Sequence, residues 1–368
     1  MSPLFVPGPV DVAPEVLAAQ ARPMVPQYSE EFTDLYQHVI DKLQRVFHTQ
    51  NRIFLLPSSG SGMYEAAMRN LVQDSLVQDN VLCCINGAFS ARWRDVAIAN
   101  GKQAARLEVE CGETITPDLL KDALQYRTYE AITIVHNETS SGIENPLKEL
   151  TQFIRQISPD TLILVDAISS LGGVKIEMDA WDIDFLFTTS QHCLALPPGV
   201  ALAAVSERAM QKIETVKNRG WYFDFGNWER IRLKRSIPMS VPISLFYALD
   251  VQLDRILTEG LENRYARHAA LAKRVQSWAE AQGMEVMGTT RSRSKTISCI
   301  RNSHGLVMDD LNKFLLTRNM RIANGYGKLK DKYFRIATMG ETQMNDLETL
   351  LEAMDEFIKP IRQSSVIG

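Results

Sequence analysis

Leu162-Ile163-Leu164-Val165-Asp166-Ala167-Ile168-Ser169-Ser170 decides the fold. An apolar, partly β-branched run ends on a carboxylate, and small hydroxylated residues follow it. Such a run reads as a strand buried on both faces. A carboxylate closing it is expensive to bury unless something cationic meets it. Similar runs occur at Arg52–Leu56, Val81–Ile85, Ala131–His136, Phe185–Thr189 and Val200–Val205. Helical patterns lie between them, for example Asp34–Phe47 with Leu35, Val39, Leu43 and Val46 on one face. Buried strands alternating with helices predict an α/β fold, a mainly parallel sheet sandwiched by helices. In that architecture ligands bind beyond the carboxyl ends of the strands.

The character changes near Thr258. Helical patterns at Glu262–Gln282, Asp309–Asn319 and Thr342–Ile361 accompany strands at Lys295–Ile300 and Tyr333–Ala337. The expected division is an N-terminal segment and large domain over 1–257 and a smaller C-terminal α+β domain over 258–368, as a chain of this length suggests. The formal charge of −4 offers no basic surface for nucleic acid or anionic membrane. No apolar run is long enough to span a bilayer, and Met1–Val10 has no export-signal pattern. The five cysteines, Cys83, Cys84, Cys111, Cys193 and Cys299, are odd in number and lack metal-ligand spacing. No metal site is expected. Cys83 and Cys84 sit in an apolar run and read as buried thiols, and a reducing, cytoplasmic location fits them.

The segments that follow the strands are the informative ones. Ser58-Ser59-Gly60-Ser61-Gly62 stands between a strand and a helix, where free N–H groups attract phosphate. It is not a nucleotide P-loop, because no Gly-Lys-Ser/Thr follows. Phe89, in Asn86-Gly87-Ala88-Phe89-Ser90, can stack on a flat ring. His136-Asn137-Glu138-Thr139-Ser140-Ser141-Gly142 offers small polar groups. Asp166 suits a protonated ring nitrogen. Thr189-Ser190-Gln191-His192-Cys193-Leu194-Ala195-Leu196-Pro197-Pro198-Gly199 completes the series.

In this order the segments resemble the class V aminotransferases among the fold-type I pyridoxal phosphate (PLP) enzymes. The closest branch contains the alanine–glyoxylate and serine–pyruvate aminotransferases. The resemblance runs from Pro7-Gly8-Pro9 to the last helix and includes Arg335 in Phe334-Arg335-Ile336. It implies that Ser59, Gly60 and Ser61 cradle the cofactor phosphate, and that Phe89 and Ile168 lie on opposite faces of the ring. Ser140 would lie near the ring's phenolic oxygen, and Asp166 would meet the ring nitrogen. Gln191 precedes the position of the cofactor lysine. Arg335 would grip the substrate carboxylate with its planar fork. Ser240 would reach the phosphate of a neighbouring subunit, which implies a homodimer with shared active sites. Some members carry a tyrosine three residues earlier, where this chain has Ile237. The implied substrates are a small amino acid (alanine, serine or aspartate) and a 2-oxo acid such as glyoxylate or pyruvate.

His192 departs from the family. Members have a lysine there, which bonds covalently to PLP and then moves a proton on the substrate. Imidazole forms no stable imine, so PLP or pyridoxamine phosphate (PMP) would be held noncovalently. Proton transfer by imidazole stays possible. A histidine at this place is known among PLP-fold dehydratases that work from PMP. Three readings stay open: an engineered substitution in an ordinary aminotransferase, an enzyme using His192 as its base, and a noncatalytic relative. A substitute lysine, such as Lys175, Lys328, Lys330 or Lys332, has no support in the motif, and adjacent Cys193 would point to the opposite face.

Overall fold

The computed structural model describes residues 4–74 and 80–365; Met1 to Pro3, part of the segment read for an export signal, lie outside them. The strands in chain order are β1 (Leu4–Phe5), β2 (Arg52–Pro57), β3 (Val81–Ile85), β4 (Ala104–Glu108), β5 (Ala131–Val135), β6 (Asn137–Glu138), β7 (Ile143–Glu144), β8 (Leu162–Asp166), β9 (Phe185–Thr189), β10 (Val200–Val205), β11 (Ile297–Arg301), β12 (Arg321–Asn324) and β13 (Tyr333–Ala337).

The large sheet has the order β2-β10-β9-β8-β5-β3-β4. Strands β4, β3, β5, β8 and β9 run parallel, and β10 is antiparallel to both β9 and β2. The expected mainly parallel sheet sandwiched by helices is therefore present, with one antiparallel strand in it. β8 lies between β5 and β9 with every residue buried, which is why it reads as a continuous apolar run. Edge strand β4 escapes such a reading: after buried Ala104 its side chains alternate between half-buried and exposed.

The helix Glu30–Phe47 begins four residues before the expected Asp34. Ser29 Oγ accepts from the Phe32 N–H at 3.2 Å, and Glu30 and Glu31 occupy the first turn. Val39, Leu43 and Val46 are fully buried in the main core. Burying a side chain of this size contributes about 1.5–3 kcal/mol.

A second core gathers Leu271, Val275, Leu311, Leu315, Phe334, Ile336, Leu350 and Leu351 around the sheet β1-β12-β13-β11. The chain start enters it, because β1 pairs with β12 and Phe5 belongs to this core. The residues after β1 then run back across the large sheet: Val10 donates to the Gln191 carbonyl. Among the described residues no helix is long and apolar enough to cross a membrane. Cys83, Cys84, Cys193 and Cys299 are buried free thiols, while Cys111 is exposed.

Candidate active site

Beyond the carboxyl ends of β8 and β9 lies a cavity of about 310 Å³. Ser59, Gly60, Ser61, Phe89, Asp166, Ile168, Gln191, His192 and Arg335 line it together. Of the residues proposed from sequence, Ser140 and Ser240 are outside its wall. Ser240 is exposed. Ser140 is engaged elsewhere, and Thr139 takes the wall position beside it.

Asp166 is buried, and both its oxygens are held. The Tyr64 hydroxyl donates to Oδ2 at 2.5 Å and the Ile168 N–H donates to Oδ1 at 2.7 Å. Burial raises its pKa to about 7, against the lowering effect of those two hydrogen bonds. Tyr64 is itself fixed by rings: it stacks on Trp93 at 4.9 Å and meets Phe187 edge-on at 5.7 Å.

The helix Gly60–Leu71 starts at the cavity, and Ser59, at its N-cap, makes no side-chain capping bond. No side chain caps the first turn, which suits an anion there, although the Gly62 N–H already donates to the Ser59 carbonyl at 3.1 Å. Gly60 allows the helix to begin against Ile168, since a β-carbon there would stand 2.3 Å from Ile168 Cδ1.

Glu138 organises the opposite wall. It is fully buried and accepts from the N–H groups of Phe89 (3.2 Å), Ser90 (3.0 Å) and Ser140 (3.1 Å). The hydroxyls of Ser90 (2.9 Å) and Ser140 (2.6 Å) also donate to it. A carboxylate at the start of the helix Ala88–Ala99 satisfies its first donors. Ser140 Oγ also accepts from the Ala88 N–H at 3.0 Å. Its hydroxyl is consumed in fastening two segments together.

Arg335 comes from the middle of β13 and is buried. Its Nε donates to the Asn324 carbonyl at 3.0 Å and its Nη1 to the Thr139 carbonyl at 3.1 Å. Burial lowers its pKa from the usual guanidinium value; a guanidinium keeps its charge at neutral pH all the same.

His192 follows β9. Its Nδ1 is buried and has no hydrogen-bond partner. Burial lowers the ring's pKa to about 4, with the Pro7 backbone opposing. The imidazole is neutral at pH 7. Thr189 Oγ1, also at the wall, is a second buried polar atom without a partner. Cys193 points away: its thiol meets the Ser169 carbonyl at 3.3 Å, and burial raises its pKa to about 12. No lysine lines the cavity among the described residues, and Lys175 pairs with Glu262 elsewhere.

Tyr64, Arg92, Tyr326 and Gly8 line the cavity without having been proposed for it. Tyr64 and Arg92 carried a signal. Tyr64 stands four residues after Gly60 and Arg92 three after Phe89, spacings that share a helix face. Tyr326 and Gly8 gave none, because tertiary structure alone brings them in.

The sequence profile of the family "Aminotransferase class-V" matches residues 14–329. An uncharacterized aminotransferase of Methanocaldococcus jannaschii is 37% identical over 341 residues, covering 92% of this chain and 87% of that protein. The L-aspartate–glyoxylate aminotransferase of Paracoccus denitrificans is 30% identical, covering 92% and 86%. The crystal structure of an alanine–glyoxylate aminotransferase from Nostoc sp. superposes with a TM-score of 0.90 at 28% identity, covering 96% of this chain and 94% of that one. With the fold, the strand-end cavity and these relatives in agreement, the chain belongs to the class-V aminotransferases.

Proposed function

We propose that the protein moves an amino group between a small amino acid (alanine, serine or aspartate) and a 2-oxo acid such as glyoxylate or pyruvate. It does so with PLP or PMP held noncovalently. One observation carries the reading: a buried carboxyl of raised pKa, Asp166, shares a lysine-free cavity with the open helix start at Ser59–Ser61. The activities of the Paracoccus and Nostoc proteins, amino transfers with glyoxylate, support it.

The residues fit such a cofactor. A buried carboxyl that keeps its proton to about pH 7 gains most from a cationic ring nitrogen. The helix start suits a phosphate. Thr189 Oγ1 and His192 Nδ1 are buried polar atoms in need of a partner. When bound, the cofactor supplies an electron sink.

The chain does the rest. Asp166, steadied by Tyr64, holds the proton at the ring nitrogen. Phe89 and Ile168 bracket the ring faces and exclude water. Arg335 orients the substrate carboxylate. His192, whose ring is neutral, takes and returns the proton that a lysine moves in other members. Ser240 completes the phosphate site of the partner in a homodimer. The exposed side chains of Trp221 and Leu233, in the same stretch of chain, support such a contact.

The test is a single turnover. PMP-loaded protein mixed with glyoxylate or pyruvate is expected to yield up to one equivalent of the corresponding amino acid per site. His192→Ala should slow this by about 10²–10⁴-fold. No amino acid from PMP-loaded wild-type protein would remove the reading.

A further inference from the structure

The cavity holds a second arginine that the amino-transfer scheme leaves without work. We propose that Arg92, set by Tyr326, binds a side-chain carboxylate, so that the site prefers an amino donor with two acid groups. The proposal rests on the amino-transfer reading and narrows its donor to dicarboxylates, with glyoxylate or pyruvate still the acceptor.

Arg92 projects from the helix Ala88–Ala99 one turn beyond Phe89, onto the cavity side. Its guanidinium lies over the Phe89 ring at 5.0 Å, and Nη2 donates to the Tyr326 hydroxyl. Phe89 and Tyr326 stack in turn, with centroids 5.1 Å apart and planes 25° apart. Arg92 is thus held from two sides by rings and one phenol oxygen. It makes no ion pair among the described residues, although most arginines of this chain have one.

Arg335 borders the same phenol ring. The two guanidinium carbons lie 6.0 Å (Arg92) and 5.5 Å (Arg335) from the Tyr326 centroid. Asp166, the one carboxylate at the cavity wall among the described residues, is taken by Tyr64 and the Ile168 N–H and has its pKa raised toward neutrality. Among the described residues the cavity wall therefore carries two guanidinium groups and no carboxylate paired with either, the nearby Glu138 being taken by the Phe89, Ser90 and Ser140 donors. A monocarboxylate satisfies one guanidinium. A carboxylate on the substrate's side chain satisfies the other, in the planar two-point fashion that arginine favours.

The decisive experiment is calorimetric titration of PMP-loaded protein with three inert acids: propionate, succinate and 3-phosphonopropionate. Succinate should bind at least tenfold tighter than propionate, and tighter than the phosphonate. In Arg92→Gln the succinate preference should fall to within about twofold, while Arg92→Lys, which keeps the charge without the fork, should retain part of it. Equal affinities in the wild-type protein, no binding of succinate, or a preference untouched by Arg92→Gln would each overturn the proposal. Tighter phosphonate binding would overturn the carboxylate assignment in favour of a phosphorylated substrate. Amino transfer to glyoxylate with no succinate preference would refute this proposal alone. A succinate preference without any amino transfer would refute the broader reading instead.

Discussion

Gly8 presses against the imidazole of His192: a β-carbon at position 8 would stand 2.6 Å from its Cε1 and 2.7 Å from its Nδ1. The backbone there has φ +97°, a conformation that side chains rarely adopt. The chain's first strand leads into this segment after pairing in the small sheet. The segment therefore ties the C-terminal core to His192.

Gly8→Ala combines backbone strain with a collision on His192. It should destabilise the protein by about 1–3 kcal/mol, measured by denaturant unfolding. Single-turnover amino transfer should fall at the same time. A stable variant with unchanged turnover would show that the contact does not position the imidazole.

Asp166 predicts a pH effect of definite sign. Its pKa is raised from 3.8 to about 7 in the fold, so the folded state binds the proton more tightly than the unfolded one. That contribution is fully present below about pH 4 and is lost as pH rises to 7. Cofactor-free wild-type protein should lose stability relative to Asp166→Asn across this window. Melting curves of the two proteins at pH 4.5 and 7.5 decide it. Asp166→Asn should also weaken PMP binding at least tenfold, and Tyr64→Phe should weaken it less.

Glu138 accepts five hydrogen bonds, all from groups on the Phe89 and Ser140 segments. Glu138→Gln brings an NH₂ group against a set of donors. A loss of about 1–3 kcal/mol is expected, with weaker PMP binding. Unchanged unfolding and PMP affinity would count against this organising role.

His192 titrates near pH 4 because burial disfavours its charged form. The neutral base is then fully available above about pH 5. The single-turnover rate should show no limb near 6.5, the ordinary imidazole value. A rate that rises through pH 6–7 and flattens in His192→Ala would mean that the imidazole titrates as an exposed one does.

Much of this was legible in the sequence because β3, β8, β9 and β10 are buried on both faces and read as unbroken apolar runs. Their carboxyl ends gave Asp166, Gln191 and His192 directly. β4 was not legible, since only one of its faces is covered, nor was the short β12. Ser140 shows a further limit: its position in the motif was readable, but the Glu138 carboxylate that captures its hydroxyl was not. Tyr326 reaches the site from the C-terminal unit through tertiary packing alone, and with it the partnership with Arg92 stayed hidden.

The central claim is a transaminase-type site with no covalent hold on its cofactor. Borohydride reduction of the PLP-loaded protein, followed by intact-mass and peptide mass spectrometry, tests it most directly. The wild-type chain should bind PLP yet keep its unmodified mass, and His192→Lys should gain one reduced cofactor at position 192. A reduced adduct on any lysine of the wild-type chain, or failure of both proteins to bind PLP, would contradict the account.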